Sequence, residues 1–158
     1  MFAPRPFAVA QELVRVTRRG GRIVMGNWIP GDPTLVAQIL KVSAAFTPPP
    51  PAGFVSPMTW GVEADVLERF AAAGISARNV AFSRDTFTFR YPGAPADYVE
   101  EFRTYYGPTM NAFDAAEKNG KARELRDALV GLFERQNQSG RSDLSVIPAT
   151  FLRVTVSR

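Results

Sequence analysis

The sequence of 158 residues is 46% apolar and 22% charged, which predicts a packed globular chain with the length of an ordinary domain. It contains neither cysteine nor histidine, so disulfides, thiolate nucleophiles, Cys/His zinc sites and imidazole proton relays are excluded. The formal net charge is +4, and the first 22 residues, with five arginines and one glutamate, account for all of it.

The basic residues gather around the predicted end of the first helix, where cations are locally favourable: Arg15, Arg18, Arg19 and Arg22. No aromatic platform accompanies them, so we expect no nucleic-acid binding. The lack of cysteine fits a reducing compartment and a cytoplasmic protein. We expect no membrane contact, because no apolar run is long enough to cross a bilayer.

The chain begins with a predicted helix and strand. Apolar residues follow helical spacing over residues 7–14, and Gly20-Gly21 ends the helix. The continuous apolar run Ile23-Val24-Met25 predicts a strand buried on both faces, as in a parallel sheet.

A second helix and a stiff loop follow. Asp32 and Pro33 are typical of an N-cap and a first helical position, and they predict a helix that begins at Pro33 and continues to Ser43 or Ala44. Residues 47–57 contain five prolines, which favour extended backbone without hydrogen-bond donors. This segment predicts a stiff loop, with a ligand for a proline-binding module as the alternative.

Residues 62–70 predict an amphipathic helix that Gly74 closes. Residues 80–91 alternate with period two, but the apolar parity changes once. The change predicts a bulge around residues 83–85 in one long bent strand, because no Asn-Gly type of hairpin turn is present.

The remaining sequence predicts helices over residues 98–106, 110–116 and 125–133. A polar, flexible loop is expected over residues 136–143. The alternation over residues 152–156 predicts a closing strand with one exposed face.

The sequence contains no Gly-x-Gly-x-x-Gly, Walker, HExxH or GxSxG motif. The double glycine follows a helix and precedes a strand, which is the reverse of a phosphate-binding loop, so we interpret it as a helix cap. The acidic pairs Glu63/Asp65 and Glu100-Glu101 do not share a helical face, and we expect them to be solvated.

Four aromatic residues are candidates for lining a substrate pocket: Trp28, Trp60, Tyr105 and Tyr106. Trp28 follows a predicted buried strand, and ligands of open α/β sheets collect outside the carboxyl ends of strands. Core packing is the alternative role for each of them.

One combination of phrases points to a family. The helix, the sequence Arg-Val-Thr-Arg-Arg-Gly-Gly-Arg-Ile over residues 15–23, the strand and Asn27-Trp28 resemble the second half of class I S-adenosylmethionine-dependent methyltransferases of the small-molecule type. In that family a leader helix ends in a phrase like RVLKPGGRI and runs into the fifth strand. The phrases at residues 102–108 and 146–149 match as well, so the resemblance covers nearly the whole chain.

The resemblance implies an α/β chain with a partial Rossmann-like methyltransferase fold: C-terminal strands of the sheet, flanking helices and a helical insertion. Residues 1–158 would form one partial domain. The family's first four strands, its glycine-rich cofactor loop and the acidic residue that holds the ribose are missing. S-adenosylmethionine is the implied cofactor, but we expect this chain alone to bind it poorly or not at all. Met1 and Phe2 would lie beside the cofactor cleft at best.

The function implied is that of a truncated methyltransferase acting on a small molecule, without a metal. The four aromatic candidates would then lie on the substrate side. The alternatives are a non-catalytic assembly module, which self-associates as a homo-oligomer or pairs with a separate N-terminal half, and a nonfunctional fragment. Loss of the fourth strand would leave an edge of the fifth open.

Overall fold

The computed structural model describes residues 3–158 and forms two compact units. The first unit comprises the described part of Met1–Pro30, together with Pro51–Asp85 and Thr150–Arg158. The second comprises Gly31–Pro50 and Thr86–Ala149. Both combine helices with strand segments, so the described residues have mixed α and β structure, with the strands Arg22–Trp28 and Ser145–Ser157 antiparallel and not parallel as expected.

Six helices and three strands lie within the described range. The helices are α1 (Pro6–Val16), α2 (Leu35–Ala44), α3 (Glu63–Ala72), α4 (Pro95–Tyr105), α5 (Gly107–Lys118) and α6 (Ala122–Gln136). The strands are β1 (Arg22–Trp28), β2 (Val80–Tyr91) and β3 (Ser145–Ser157), and short 3₁₀ turns cover Pro57–Gly61 and Ala77–Asn79. Within residues 3–158, every helix is too short or too polar to cross a membrane.

The sheet has the order β1-β3-β2, so the last strand of the chain lies in the middle. β1 pairs antiparallel with β3 from Arg22 opposite Ser157 to Trp28 opposite Phe151. The expected strand therefore forms, but burial on both of its faces was wrong. Val24 is 60% exposed, because it lies on the face of β1 opposite the buried Ile23.

The core of the first unit lies where α1 and α3 pack against β1 and β3. Its buried side chains are Ala10, Ile23, Trp60, Val66, Phe70, Ile75, Leu152, Val154 and Val156. The helices contribute residues at helical spacing and the strands contribute alternate residues, as the sequence pattern predicts. Burial of each large aliphatic side chain contributes about 1.5–3 kcal/mol.

β2 is one continuous strand, which confirms the long bent strand. Its half-buried positions change parity between Phe82 and Ser83, where the bulge was predicted. Arg153 of β3 contacts this point: its Nε lies 3.1 Å from Ser83 Oγ and 3.1 Å from an Asp85 carboxylate oxygen. The chain passes from the first unit into the second directly after Asp85.

α2 begins two residues later than the Asp32-Pro33 pair predicts. The N-cap is Thr34, and the Asp32 carboxylate accepts hydrogen bonds from Thr34 N at 2.9 Å and Thr34 Oγ1 at 2.5 Å. Asp32 therefore stabilises the turn before the helix, as aspartate commonly does in loops. The proline-rich segment is irregular as far as Ser56, which confirms the loop.

The second unit is built from α2, α4, α5 and α6. Its buried apolar residues include Ile39, Val99, Phe113, Leu129 and Phe133. The Tyr98, Phe102 and Phe133 rings meet edge to face with centroids 5.2–5.6 Å apart, an arrangement that the ring quadrupoles favour.

The boundary between α4 and α5 lies within a residue or two of the predicted position. α4 ends at Tyr105, and α5 begins at Gly107 with Pro108 in its first turn. Proline fits there because the first helical N–H groups have no partner within the helix.

β3 extends further toward its N-terminus than residues 152–156. It begins at Ser145 and contains Pro148, a residue that normally argues against a central strand. Pairing with β1 starts only at Phe151, so Pro148 lies outside the part of β3 that β1 covers. A proline is therefore tolerated inside β3, although the sequence pattern alone suggests that the strand begins after it.

Side-chain hydrogen bonds connect the polar loop after α6 to the start of β3. Asn137 Nδ2 donates to Leu144 O at 2.9 Å, and Asn137 Oδ1 accepts from Val146 N at 2.9 Å. Ser139 Oγ donates to Leu144 O at 2.6 Å. One asparagine thus closes the loop onto the start of β3.

Replacing Asn137 with Ala should loosen this loop. Loss of its buried hydrogen bonds should speed amide exchange at Val146 about tenfold or more. Gln138→Ala is the control, because the backbone N–H of Gln138, which donates to Val146 O at 2.8 Å, is retained. Equal exchange in both variants, measured by NMR, would show that Asn137 does not close the loop.

Candidate functional site

The first unit has an open cleft at the carboxyl end of β1. Its volume is about 320 Å³, and its lining residues are Ile29, Pro30, Gly61, Val62, Glu63, Arg84 and Leu152. Because β1 pairs antiparallel with β3, the cleft lies at the end of an antiparallel pair and not at the carboxyl edge of a parallel sheet. Apolar side chains form most of the wall, with one carboxylate and one guanidinium among them.

The 3₁₀ turn that forms one wall is fixed by a close approach of two backbones. A Cβ atom added to Gly61 would overlap the Trp28 carbonyl oxygen and lie 2.8 Å from the Trp28 carbonyl carbon. Only glycine fits this contact without movement of the backbone. Ser56 caps the turn, since its Oγ accepts from Met58 N at 3.3 Å.

The two tryptophans occupy different environments within the first unit. Trp28 is half-buried and meets Phe151 edge to face, with ring centroids 6.1 Å apart. Trp60 is only 2% exposed and packs against Phe70 at 6.4 Å in the core. Trp28 thus lies at the strand end that leads into the cleft. Direct contact of a substrate with Trp60 would require that the turn move.

Arg69 is the residue of this region that sequence reasoning missed. It is 4% exposed, its guanidinium carbon lies 4.7 Å from the centroid of the Trp60 ring, and its Nη2 donates to Thr59 Oγ1 at 2.6 Å. Nη1 has no hydrogen-bond partner among residues 3–158. Burial lowers the pKa of Arg69, and the charges of Asp65 and Glu68 oppose this shift.

A signal for Arg69 was present in the sequence. Helical spacing puts it on the same face of α3 as Val66 and Phe70, both of which are buried. A cation on an apolar helix face indicates either a buried polar contact or a functional role.

The acidic candidates lie in three kinds of surroundings. Glu63 is exposed at the first position of α3 and lines the cleft, while Glu101 is exposed on α4. Glu100 pairs with Arg126 at 2.8 Å and with Arg103 at 3.5 Å, and its side chain is still 40% exposed, as expected for a solvated acid.

The two tyrosine candidates belong to the second unit. Tyr105 is 78% exposed at the end of α4. Tyr106 is half-buried and meets Phe102 edge to face at 5.5 Å, and burial raises the pKa of the Tyr106 hydroxyl. Met1 and Phe2 lie outside the described residues.

No group of three or more metal-ligating side chains occurs within residues 3–158. Glu12 pairs with Arg15, Glu117 pairs with Arg103, and the buried Asp32 accepts hydrogen bonds from Thr34.

No family model matches the chain. The sequence is similar to uncharacterized proteins, one from Mycobacterium bovis and two from Mycobacterium tuberculosis. Each is 36% identical over 115 residues, which are 72% of this chain and 39% of the relative. Most of each relative therefore lies outside the region that resembles this chain.

Gly61→Ala should destabilise the first unit, because the added methyl group would push the 3₁₀ turn away from β1. The expected loss in free energy of unfolding is about 1–3 kcal/mol. Gly107→Ala is the matched control, since an added Cβ there meets no atom within 4 Å. Denaturant unfolding measures both, and equal midpoints would contradict the close approach.

Arg69→Met and Arg69→Ala should separate the charge of Arg69 from its packing. Methionine keeps the apolar stem over Trp60 and removes a buried charge, so we expect unchanged or increased stability. Alanine leaves a cavity and should cost about 2 kcal/mol or more. If methionine is as destabilising as alanine in urea unfolding, the charge itself supports the fold.

Proposed function

We propose that this chain is the acceptor-side portion of a class I S-adenosylmethionine-dependent methyltransferase that acts on a small molecule. The chain would bind the methyl acceptor and need a further cofactor-binding half to bind the donor. The proposal is compatible with the longer relatives, since the matched region is 39% of each.

The observation that carries the proposal is the path from α1 through β1 to the cleft. The Arg15–Ile23 phrase spans the end of α1, a turn with Gly20 at φ 72° and the start of β1. β1 then ends at Trp28, beside the cleft. This is the order that the resemblance implies for the leader helix, the fifth strand and the substrate side.

The described residues do not fit the donor itself. The connection from β1 to α2, residues 29–34, contains one glycine, and the Asp32 carboxylate occupies the turn with its bonds to Thr34. A glycine-rich cradle between a strand and a helix is the usual way to bring backbone N–H groups to a nucleotide. The connection from β1 to α2 therefore offers no cradle of backbone N–H groups for the donor.

What the cleft residues can do is bind and orient an acceptor. Ile29, Val62 and Leu152 offer apolar surface that excludes water, and Glu63 and Arg84 offer one charge of each sign for polar substituents. Alignment and exclusion of water supply much of the barrier reduction when two reactants are brought together. Such a role needs neither histidine nor cysteine.

A non-catalytic assembly module is the second candidate function. It rests on the position of β1 at the outside of the sheet within residues 3–158, with an exposed apolar side chain at Val24. An exposed strand edge is a template for pairing with another chain.

Calorimetric titration of the chain with S-adenosylmethionine tests whether the chain alone can bind the methyl donor. We expect no binding in the micromolar range, because the main cofactor elements are missing. Adding a separate glycine-rich, cofactor-binding half should restore binding of the donor. Micromolar binding by this chain alone would overturn the proposal that it needs such a half.

A further inference from the structure

We propose that the cleft of the first unit binds a free amino acid with an apolar side chain, a molecule that carries both an ammonium and a carboxylate group. Glu63 would bind the ammonium group and Arg84 the carboxylate. The inference rests on the proposed function, because it names the class of molecule that the chain would hold for methylation.

The two charged residues of the cleft are not neutralised by the protein. The ion pairs within residues 3–158 join other side chains, and neither Glu63 nor Arg84 takes part in one. Both residues are exposed where the cleft opens to solvent. A neighbouring cation differs in this respect, since Arg153 pairs with Asp85 at 3.1 Å. The cleft therefore offers one charge of each sign to a ligand.

The strand geometry directs Arg84 toward the cleft. Arg153 Nε lies 3.1 Å from both Ser83 Oγ and an Asp85 carboxylate oxygen, so these three side chains share one face of the sheet. Successive side chains of a strand alternate between the two faces. Arg84 and Leu152 therefore project to the opposite face, and both line the cleft.

Glu63 reaches the cleft from a different element. It is the first residue of α3 and follows the 3₁₀ turn that ends at Gly61. The close contact of Gly61 with the Trp28 carbonyl group fixes that turn. Glu63 and Arg84 line one cleft without pairing with each other, so a ligand with two opposite charges can lie between them.

The size and the walls of the cleft select the rest of the ligand. The volume of about 320 Å³ is at the small end of the range for ligand pockets, which suits a molecule of amino-acid size. Ile29, Val62 and Leu152 offer apolar surface for its side chain. A ligand with a single charge would cover the cleft and leave one protein charge desolvated without a partner, which costs free energy.

NMR titration of the full chain with L-leucine, L-methionine and L-phenylalanine tests the inference without the methyl donor. We expect at least one of them to bind with a Kd of about 1 mM or below. Its amide lacks the carboxylate and its N-acetyl derivative lacks the ammonium group. Each derivative should bind about tenfold more weakly, because each loses a hydrogen-bonded charge pair.

Two variants assign the charges to the two ends of the ligand. Arg84→Gln should bind the amino acid and its amide equally well, because the partner of the carboxylate is gone. Glu63→Gln should bind the amino acid and its N-acetyl derivative equally well. A change in folding alone would weaken all three ligands alike and leave these preferences in place, which would contradict the assignment.

Arg78→Gln and Glu68→Gln are the matched controls. Both residues are exposed in the first unit and do not line the cleft, so both variants should keep the preferences of wild type. Absence of binding by all three amino acids up to about 10 mM would overturn the inference. So would a wild-type chain for which only one of the two ligand charges matters.

The outcome is separate from that of the proposed function. If amino acids bind but the chain with a cofactor-binding half transfers no methyl group, the methyltransferase proposal fails and the binding site remains. If methyl transfer occurs and no amino acid binds, only the present inference is wrong.

Discussion

The central position of β3 is the constraint on which the described structure depends. β3 lies between β1 and β2, so the last segment of the chain supplies hydrogen-bond partners to segments far away in sequence. Its buried residues change parity along its length: Ser145, Ile147 and Ala149 first, then Leu152, Val154 and Val156. β2 makes a similar change at Ser83, and Arg153 bonds to that point. One strand thereby contributes to two compact units while each unit keeps its own core.

The cleft of the first unit depends on a second constraint: the 3₁₀ turn Pro57–Gly61 packs against the end of β1. Gly61 permits the backbone contact with Trp28, and Arg69 holds the same turn from α3 through Thr59 and Trp60. A buried guanidinium without a carboxylate partner in the described residues is costly, because burial penalises its charge. The aromatic face and one hydroxyl offset part of that cost. The arrangement positions the wall formed by Gly61, Val62 and Glu63.

The two candidate functions, a portion of a methyltransferase and an assembly module, make different use of β1. As the counterpart of a fifth strand, β1 would pair with a cofactor-binding half; in a self-associating chain, the same edge would pair with itself. Both kinds of pairing have the same physical cause. Unpaired backbone N–H and C=O groups at a strand edge can bond to another strand, and burial of neighbouring apolar side chains stabilises that pairing.

The sequence by itself determined the elements whose periodicity is local. Three kinds of signal depend only on residues close together in the sequence. They are the helical spacing of α1, α3 and α6, the parity change in β2 and the glycines that end helices. The sequence also pointed to the end of β1 as a site, but not to the walls of the cleft there. Tertiary structure alone decided that Val24 is exposed, that Pro148 lies within a strand and that Asp32 stabilises a turn. Each of these depends on which distant segment packs beside the residue, and hydrophobic patterns carry no information about that neighbour.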